Sequence, residues 1–381
     1  MKDKVLILAS VASMIDQFNM SNINILLSLG YEVHVACNFE KGSTCTDEKI
    51  KQLKVKLREL DVKYFQIDFT RSVFNLFQDI KSYKQVKNLM KENNYRFIHC
   101  HSPIGGVVGR LSCRSTKTKC IYTAHGFHFF KGAPIKNWVI FYPIEKWLSK
   151  YTDVLITINK EDYKRAKSNF KMKKLEYIPG VGVDVAKIQS IIVDKEKKKK
   201  ELGIDSNRKI LISVGELSER KNHKIVIEAI AGLENITYII CGKGPLKKQL
   251  LDLAKNKDVD LRLLGFREDR LELIKISDVF VFPSLQEGLP VALMEAIACE
   301  TLCIASDIRG NNDLIKNNEN GYLCEFNNCK QYTDKIIKLL EDVKLTSEFI
   351  NNNKKIINKY DVNKIEKKML VIYSNFTEKF Y

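Results

Sequence analysis

Short apolar runs alternate with longer stretches of helical periodicity along the whole chain. In the first half, the runs at 4–9, 31–37, 63–67, 96–100, 119–124 and 153–158 have the length and β-branched content of buried strands. Between them, segments such as 15–29, 79–93 and 135–151 place apolar residues at helical spacing. The second half repeats the pattern, with strands expected near 209–214, 236–241, 260–264, 279–282, 301–305 and 321–324. Strand and helix in this alternation form βαβ units and a parallel sheet covered on both faces. The expected class is α/β, with two doubly wound domains and no repeat of solenoid period.

The boundary should fall near 178–190. There IPGVGVD supplies Pro179, Gly180 and Gly182 as turn-formers ahead of a lysine-rich helix over 186–202. This divides the chain into domains at 1–180 and 181–362, followed by a terminal segment at 363–381.

Composition changes the picture little. A chain of 381 residues accommodates two cores, and 45% hydrophobic with 29% charged residues is ordinary for a globular protein. Met1 to Lys4 precede only a short apolar run, Val5 to Ala12, unlike a signal peptide, and no stretch approaches the roughly 20 apolar residues of a membrane span. A cytoplasmic protein is expected. The ten cysteines, at 37, 45, 100, 113, 120, 241, 299, 303, 324 and 329, contain no CxxC pair and look like reduced, mostly buried thiols. Cys299 and Cys303 are one helical turn apart, but 301–305 reads as strand, so no metal site is expected.

The formal charge of +17 does change it. Lysines and arginines concentrate at 160–174 and 195–200, either as solvated helix faces or as a surface for anionic lipid, where each basic residue contributes about 1 kcal/mol. Nucleic acid is not an expected partner: zinc-finger spacing, an RNA-binding aromatic signature and a basic zipper are all missing.

The most informative stretch is VFVFPSLQEGLPVALMEAIA at 279–298: a buried strand, a break at Pro283 and Ser284, a tight turn, then a helix from Val291 to Ala298. Glu287 lies just beyond the carboxyl end of the strand, where open α/β sheets place ligands, and Glu295 follows on the helix. Ionised carboxylates only accept hydrogen bonds, so Glu287 suits sugar hydroxyls and Glu295 a ribose diol. The amides around Gly288, Leu289 and Pro290 open the helix, where partial positive charge suits a diphosphate. The bland alternative is a turn cap and a solvated helix residue.

Other strand ends carry candidates too. Gly215 to Asn222 (GELSERKN) follows a strand with a glycine turn and the cations Arg220 and Lys221, which suit phosphate oxygens and a leaving group gaining charge. Gly242 and Gly244, in CGKGP, let backbone approach a nucleotide or simply make a turn. In YTAHGFH, His125 stands at a strand end, able to bond a sugar or diphosphate, with His128 beside it. His101 in HCHSP meets an acceptor or orients a loop, its HxH spacing having no third partner nearby. Asp16 meets an acceptor hydroxyl or caps the following helix.

The 279–298 phrase resembles the signature of retaining glycosyltransferases of family 4. FIHCHSPIGGVVGRL at 97–111, YTAHGFHFFKGAPIKNW at 122–138, LITINKEDYKRAK at 155–167, IPGVGVD and SVGELSERKNH at 213–223 extend the likeness to bacterial exopolysaccharide and capsule-building members. The resemblance implies the GT-B architecture, two Rossmann-like domains facing a cleft, with the segment 363–381 packing back on the first. It implies a nucleotide-sugar donor, UDP-linked, a lipid-linked saccharide acceptor, retention through front-face attack, and neither metal nor cofactor. Phe266 and Arg267 would lie by the uracil, and Gly310 and Asn311 match a further family turn.

The chain departs from the family at Glu216, where an arginine is usual, so that either Arg220 supplies that cation or Glu216 turns away. It departs also at Met14, in a loop that is often glycine-rich, and at Glu300, where glycine is usual. Two other classes fit the same frame: a sugar-nucleotide epimerase, and a nucleotide-sugar-binding protein with a degenerate site.

Overall fold

A computed structural model describes residues 2–41, 46–70 and 76–376. The chain divides into two units, Met1–Pro179 with Ile365–Tyr381, and Gly180–Lys364. Seven strands build the first sheet: β1 (Lys4–Val11), β2 (Glu32–Asn38), β3 (Lys63–Gln66), β4 (Phe97–His101), β5 (Lys119–Ala124), β6 (Val154–Thr157) and β7 (Lys174–Tyr177). Their order is β3-β2-β1-β4-β5-β6-β7, all parallel. The second sheet holds β8 (Lys209–Val214), β9 (Ile236–Cys241), β10 (Asp260–Gly265), β11 (Val279–Phe282), β12 (Leu302–Ser306) and β13 (Tyr322–Cys324). It runs β10-β9-β8-β11-β12-β13, again parallel.

In each sheet the strand order reverses beside the first strand, between β1 and β4 and between β8 and β11. Crossovers leave to opposite faces there, so the loops part and open a crevice at the carboxyl ends. The central strands are buried on both sides, Val5 to Ala9 and Val279 to Phe282 completely or nearly so, which is why they read as unbroken apolar runs.

Ile365, Met369, Ile372, Tyr373 and Phe376 complete the first unit's core beside Phe97, Ile121 and Val154. Residues 377–381 of the terminal segment, like Cys45, lie outside the described residues. The other nine cysteines are free thiols, eight of them buried.

Several expectations need correction. The segment 15–29 is two helices, Ala12–Phe18 and Met20–Ser28, broken at Asn19, whose amide bonds back to the Met14 carbonyl at 2.9 Å. Asp16 therefore sits inside the first helix and caps nothing. The lysine-rich segment is also two helices, Val185–Ser190 and Lys195–Glu201, because Asp194 stops to cap the second by accepting from the Lys197 amide. The strand β7 was not expected.

Candidate active site

Two loops of the second unit meet because β8 pairs with β11, Val279 opposite Leu211. One leaves β8 with Gly215; the other leaves β11 at Pro283 and ends in the helix Val291–Ala298. They are stitched together: the Leu285 amide donates to the Arg220 carbonyl at 2.8 Å, and Asn222, in a left-handed conformation (φ 53°), donates to the carbonyls of Pro283 (3.2 Å) and Phe326 (2.9 Å).

Across this seam the expected cations and carboxylate come together. Lys221 Nζ lies 2.7 Å and Arg220 Nη1 3.0 Å from Glu287 Oε1. Both bonds fall on one oxygen, so Oε2 keeps its lone pairs for a ligand hydroxyl. Lys221 is buried, with its ammonium 4.4 Å from the Phe282 ring centroid. Burial lowers its pKa, and Glu287 opposes that shift. Gly215 makes the space, since a Cβ there would stand 3.1 Å from Lys221 Cε. Glu216 is exposed; its carbonyl faces His223 Nε2 at 3.2 Å, and its charge acts on Lys221, opposing the effect of burial. Arg220 thus occupies the cationic place beside Lys221.

The helix Val291–Ala298 starts at Pro290 with no side-chain cap, so its first-turn amides point to the same crevice without intrahelical partners. Leu289 and Pro290 are buried; Leu289 packs toward Gly180, where a Cβ would lie 3.3 Å from Leu289 Cδ2. What they offer a ligand is backbone geometry, and Pro290 has no N–H to give. Gly310 (φ 85°) presses on the turn, where a Cβ would come within 2.4 Å of the Gly288 carbonyl oxygen. Arg309, which the sequence reading passed over, is buried and donates to the Glu287 carbonyl at 3.2 Å. The available signal was weak, a lone arginine beyond the end of β12.

Glu295 is not a solvated helix residue. It is buried and held by Arg270, another residue missed, through bonds of 2.6 and 3.1 Å. The carboxylate is thereby oriented and retains lone pairs for a diol. Phe266 is exposed, whereas Arg267 is committed to Asp269 at 2.7 and 2.6 Å. Gly242 and Gly244 permit a close approach of backbone to backbone. A Cβ at Gly242 would stand 1.7 Å from the Gly215 carbonyl oxygen, and one at Gly244 2.4 Å from that of Leu217. They are glycines because the β9 loop packs backbone to backbone on the β8 loop.

In the first unit, His125 follows β5, partly buried, edge-on to Phe18 at 5.4 Å, with Nε2 3.1 Å from His101 Nδ1. His101 is 1% exposed, too deep to meet an acceptor, and acts instead as a partner to His125. His99 lies against His101 with ring centroids 4.0 Å apart and the planes tilted by 41°, and bridges Tyr373 and Thr123, each at 2.7 Å. A third histidine is thus near the HxH pair after all, yet the described residues contain no group of three that could hold a metal. Burial pushes His125 down to about 4 and His99 to about 3, which keeps these imidazoles neutral donor-acceptors. His128 lies apart against Phe141, and Asp16 is half-exposed.

Known proteins share this frame and its sequence. Residues 4–159 match the family model described as glycosyl transferase 4-like, and 194–356 match that of glycosyl transferases group 1. EpsD of Bacillus subtilis, named as a glycosyltransferase, is 33% identical over 99% of this chain and 98% of its own. The UDP-Gal:alpha-D-GlcNAc-diphosphoundecaprenol alpha-1,3-galactosyltransferase of Escherichia coli is 32% identical over 78% of this chain and 80% of its own. Among solved structures, Anabaena HepE in complex with UDP and glucose superposes with a TM-score of 0.79 at 18% identity, covering 98% of this chain and 100% of HepE. WaaG, a glycosyltransferase of lipopolysaccharide biosynthesis, gives 0.72 at 16%, covering 97% and 99%. The chain belongs to the group 1, family 4-like glycosyltransferases and has their GT-B fold.

Proposed function

We propose that this enzyme moves a sugar from a UDP-linked donor to a hydroxyl of a lipid-linked saccharide, with retained anomeric configuration, in exopolysaccharide or capsule synthesis at the cytoplasmic face of an anionic membrane. The observation that carries the reading is the Glu287–Lys221–Arg220 cluster beside an uncapped helix start. Lys221, Arg220 and Arg309 gather around Glu287, which sets fixed cations where a diphosphate would rest on the amides of the Gly288 turn. These groups stabilise the charge that grows on the departing diphosphate, a task that needs no metal when fixed cations and dipoles are already aimed there. Glu287 accepts from hydroxyls of the transferred sugar, Glu295 from the ribose, and Phe266 offers a face for the base. His125 is the first unit's candidate for the sugar or diphosphate, and Asp16 for the acceptor. The diphosphoundecaprenol acceptor in the name of the Escherichia coli relative supports the choice of acceptor class.

The test is transfer from UDP-sugars to a polyprenyl-diphosphate-linked saccharide. Glu287→Gln and Lys221→Ala should each lower kcat/KM about 10²- to 10³-fold, the loss typical when one aimed charge-stabilising group is removed. The new linkage should keep the donor's anomeric configuration by NMR. Near-normal turnover in either variant would remove the site from the reaction, and an inverted product would remove the retaining mechanism.

A further inference from the structure

A cavity of about 250 Å³ lies within the first unit, between the helix Pro103–Thr116, the loop after β5 and the helix Ile135–Leu148. Ile104, Val108, Phe127, Phe129, Phe141 and Ile144 form much of its wall. The charged groups at its edge are largely spoken for. Glu145 holds Arg110 through bonds of 2.8 and 3.0 Å and accepts from the Tyr122 hydroxyl at 3.2 Å. Burial raises the pKa of Asp79, which softens the one remaining negative charge in the lining. The volume falls below the roughly 300–1,000 Å³ that encloses a whole small ligand, so part of a chain fits better than a complete molecule.

The surface around the cavity has matching chemistry. On the helix Ile135–Leu148, Ile135 is 82%, Val139 67% and Trp147 43% exposed, and Ile80, next to Asp79, is 52% exposed. The charged residues of that helix are Lys136, Glu145 and Lys146. Glu145 is buried, so the charge shown to solvent is wholly positive, and exposed Lys131 and Lys150 extend it at either end. Apolar and aromatic residues interleaved with lysines are what lies flat in a bilayer interface, the lysine stems snorkelling to the phosphates. The helix is too short and too polar to cross a membrane.

Two other occupants fit less well. A second copy would set like charges against each other, and a peptide would bury its backbone amides against an apolar wall without partners.

We propose that this cavity receives the first carbons of the hydrocarbon chain of a phosphate-headed lipid, while the helix Ile135–Leu148 lies in the bilayer interface. The identity of that lipid, the polyprenyl diphosphate of the acceptor, rests on the functional reading above. The site differs from the basic segments 160–174 and 195–200 that charge alone suggests.

The test uses the full chain and the double variant Ile135→Glu with Val139→Glu, both at largely exposed positions outside the cavity wall, with circular dichroism as the check. Wild type should float with phosphatidylcholine vesicles containing phosphatidylglycerol and bind phosphatidylcholine alone at least tenfold less; the variant should lose about tenfold of the anionic binding. A polyprenyl phosphate carrying a photoreactive group on its first isoprene units should label segments 104–108, 127–129 or 140–144. Transfer to a long-chain acceptor should fall in the variant, while transfer to a short-tailed, water-soluble acceptor with the same head stays at wild-type rate. Equal flotation of both proteins, labelling confined elsewhere, or a wild-type dimer that the variant converts to monomer would overturn the proposal. If wild type transfers to neither acceptor yet still floats and is labelled at these segments, the functional reading fails and the lipid site stands.

Discussion

The two units share a frame and differ in where they put their polar groups. The first keeps them inside: Arg110 paired with Glu145 beneath Tyr122, and Tyr373, His99 and Thr123 joined in line, with His101 buried behind His125. The second collects them at the ends of β8, β11 and β12, as Lys221, Arg220 and Arg309 around Glu287, with Arg270 steadying Glu295 nearby. A charge within the frame is answered by the protein itself and governs whether the unit folds. A charge at strand ends keeps lone pairs and protons for something else. The contrast predicts that equivalent-looking ion pairs will fail in opposite ways.

The largest effect should come from Arg110→Ala. It leaves Glu145 buried without its partner, and breaking a buried pair costs about 3–5 kcal/mol. Both tryptophans, Trp138 and Trp147, belong to the first unit, so urea unfolding followed by tryptophan fluorescence isolates this loss. Arg110→Met combined with Glu145→Leu should recover most of it, because no lone charge remains. Unchanged unfolding in the single variant would break the comparison.

Glu287→Gln should do the reverse. The amide oxygen still accepts from Lys221, so unfolding should shift by less than the roughly 3–5 kcal/mol of a buried pair broken outright, while the activity loss predicted above persists. Glu287→Ala is the poorer probe, since it strands the buried Lys221. A stability loss in Glu287→Gln as large as that of Arg110→Ala would mean that the second unit's pair is structural too.

Acid sharpens the difference. His34, His99, His101 and His125 in the first unit all have lowered pKa values, with burial the leading cause; in the second, His223 is pushed to about 4, also by burial. Below the ordinary value near 6.5 the unfolded chain takes up protons that the folded one refuses. The stability from neutral burial is therefore complete above that pH and is lost as pH falls, through about 4 for His125 and about 3 for His99. Each such histidine adds a slope of up to about 1.4 kcal/mol per pH unit. Between pH 6 and 5, urea midpoints from tryptophan fluorescence should fall several times faster than those from far-ultraviolet dichroism of the remaining transition. Parallel curves would show that the interior histidines cost nothing to charge.

How much of this could be read beforehand depended on what each residue packs against. Strands buried on both faces announced themselves. The edge strand β7 did not, because Leu175 to Tyr177 are only half-buried and form no apolar run. In the helix Pro103–Thr116 the glycines serve packing: a Cβ at Gly106 would stand 2.4 Å from the Tyr122 ring, and one at Gly109 2.8 Å from Cys100 Cβ. At the site, Glu287 and Lys221 were visible because each stands in a phrase with a turn and a strand end. Their pairing was not, since 66 residues separate them and only the β8–β11 register brings them together. Arg270 and Arg309 escaped because a single arginine carries no periodicity, and the buried place of His101 could not be told from an HxH spacing that equally suits a loop.

The smallest effect concerns what the units have in common. Both end a helix in a left-handed residue that is not glycine, Lys117 (φ 58°) after Pro103–Thr116 and Glu300 (φ 62°) after Val291–Ala298. In both, the next amide closes the turn, Thr118 to the Cys113 carbonyl and Thr301 to the Ala296 carbonyl. A side chain in that conformation costs about 1–2 kcal/mol, and glycine gives back about 0.4–1 through the entropy of the unfolded chain. Glu300 also loses its ion pair with Lys354 at 3.1 Å, which at that exposure contributes about 0–1 kcal/mol. Lys117→Gly should therefore stabilise its unit by about 0.5–1 kcal/mol and Glu300→Gly by somewhat less, with transfer unchanged in both, as read by thermal melts and the donor assay. Gains of this similar size would show that the frames are interchangeable and that the division of labour lies in the polar groups alone. A loss of transfer in Glu300→Gly would instead tie the exit of the Val291–Ala298 helix to the chemistry at its start, and the second unit could no longer be treated as a rigid frame with its function confined to one edge.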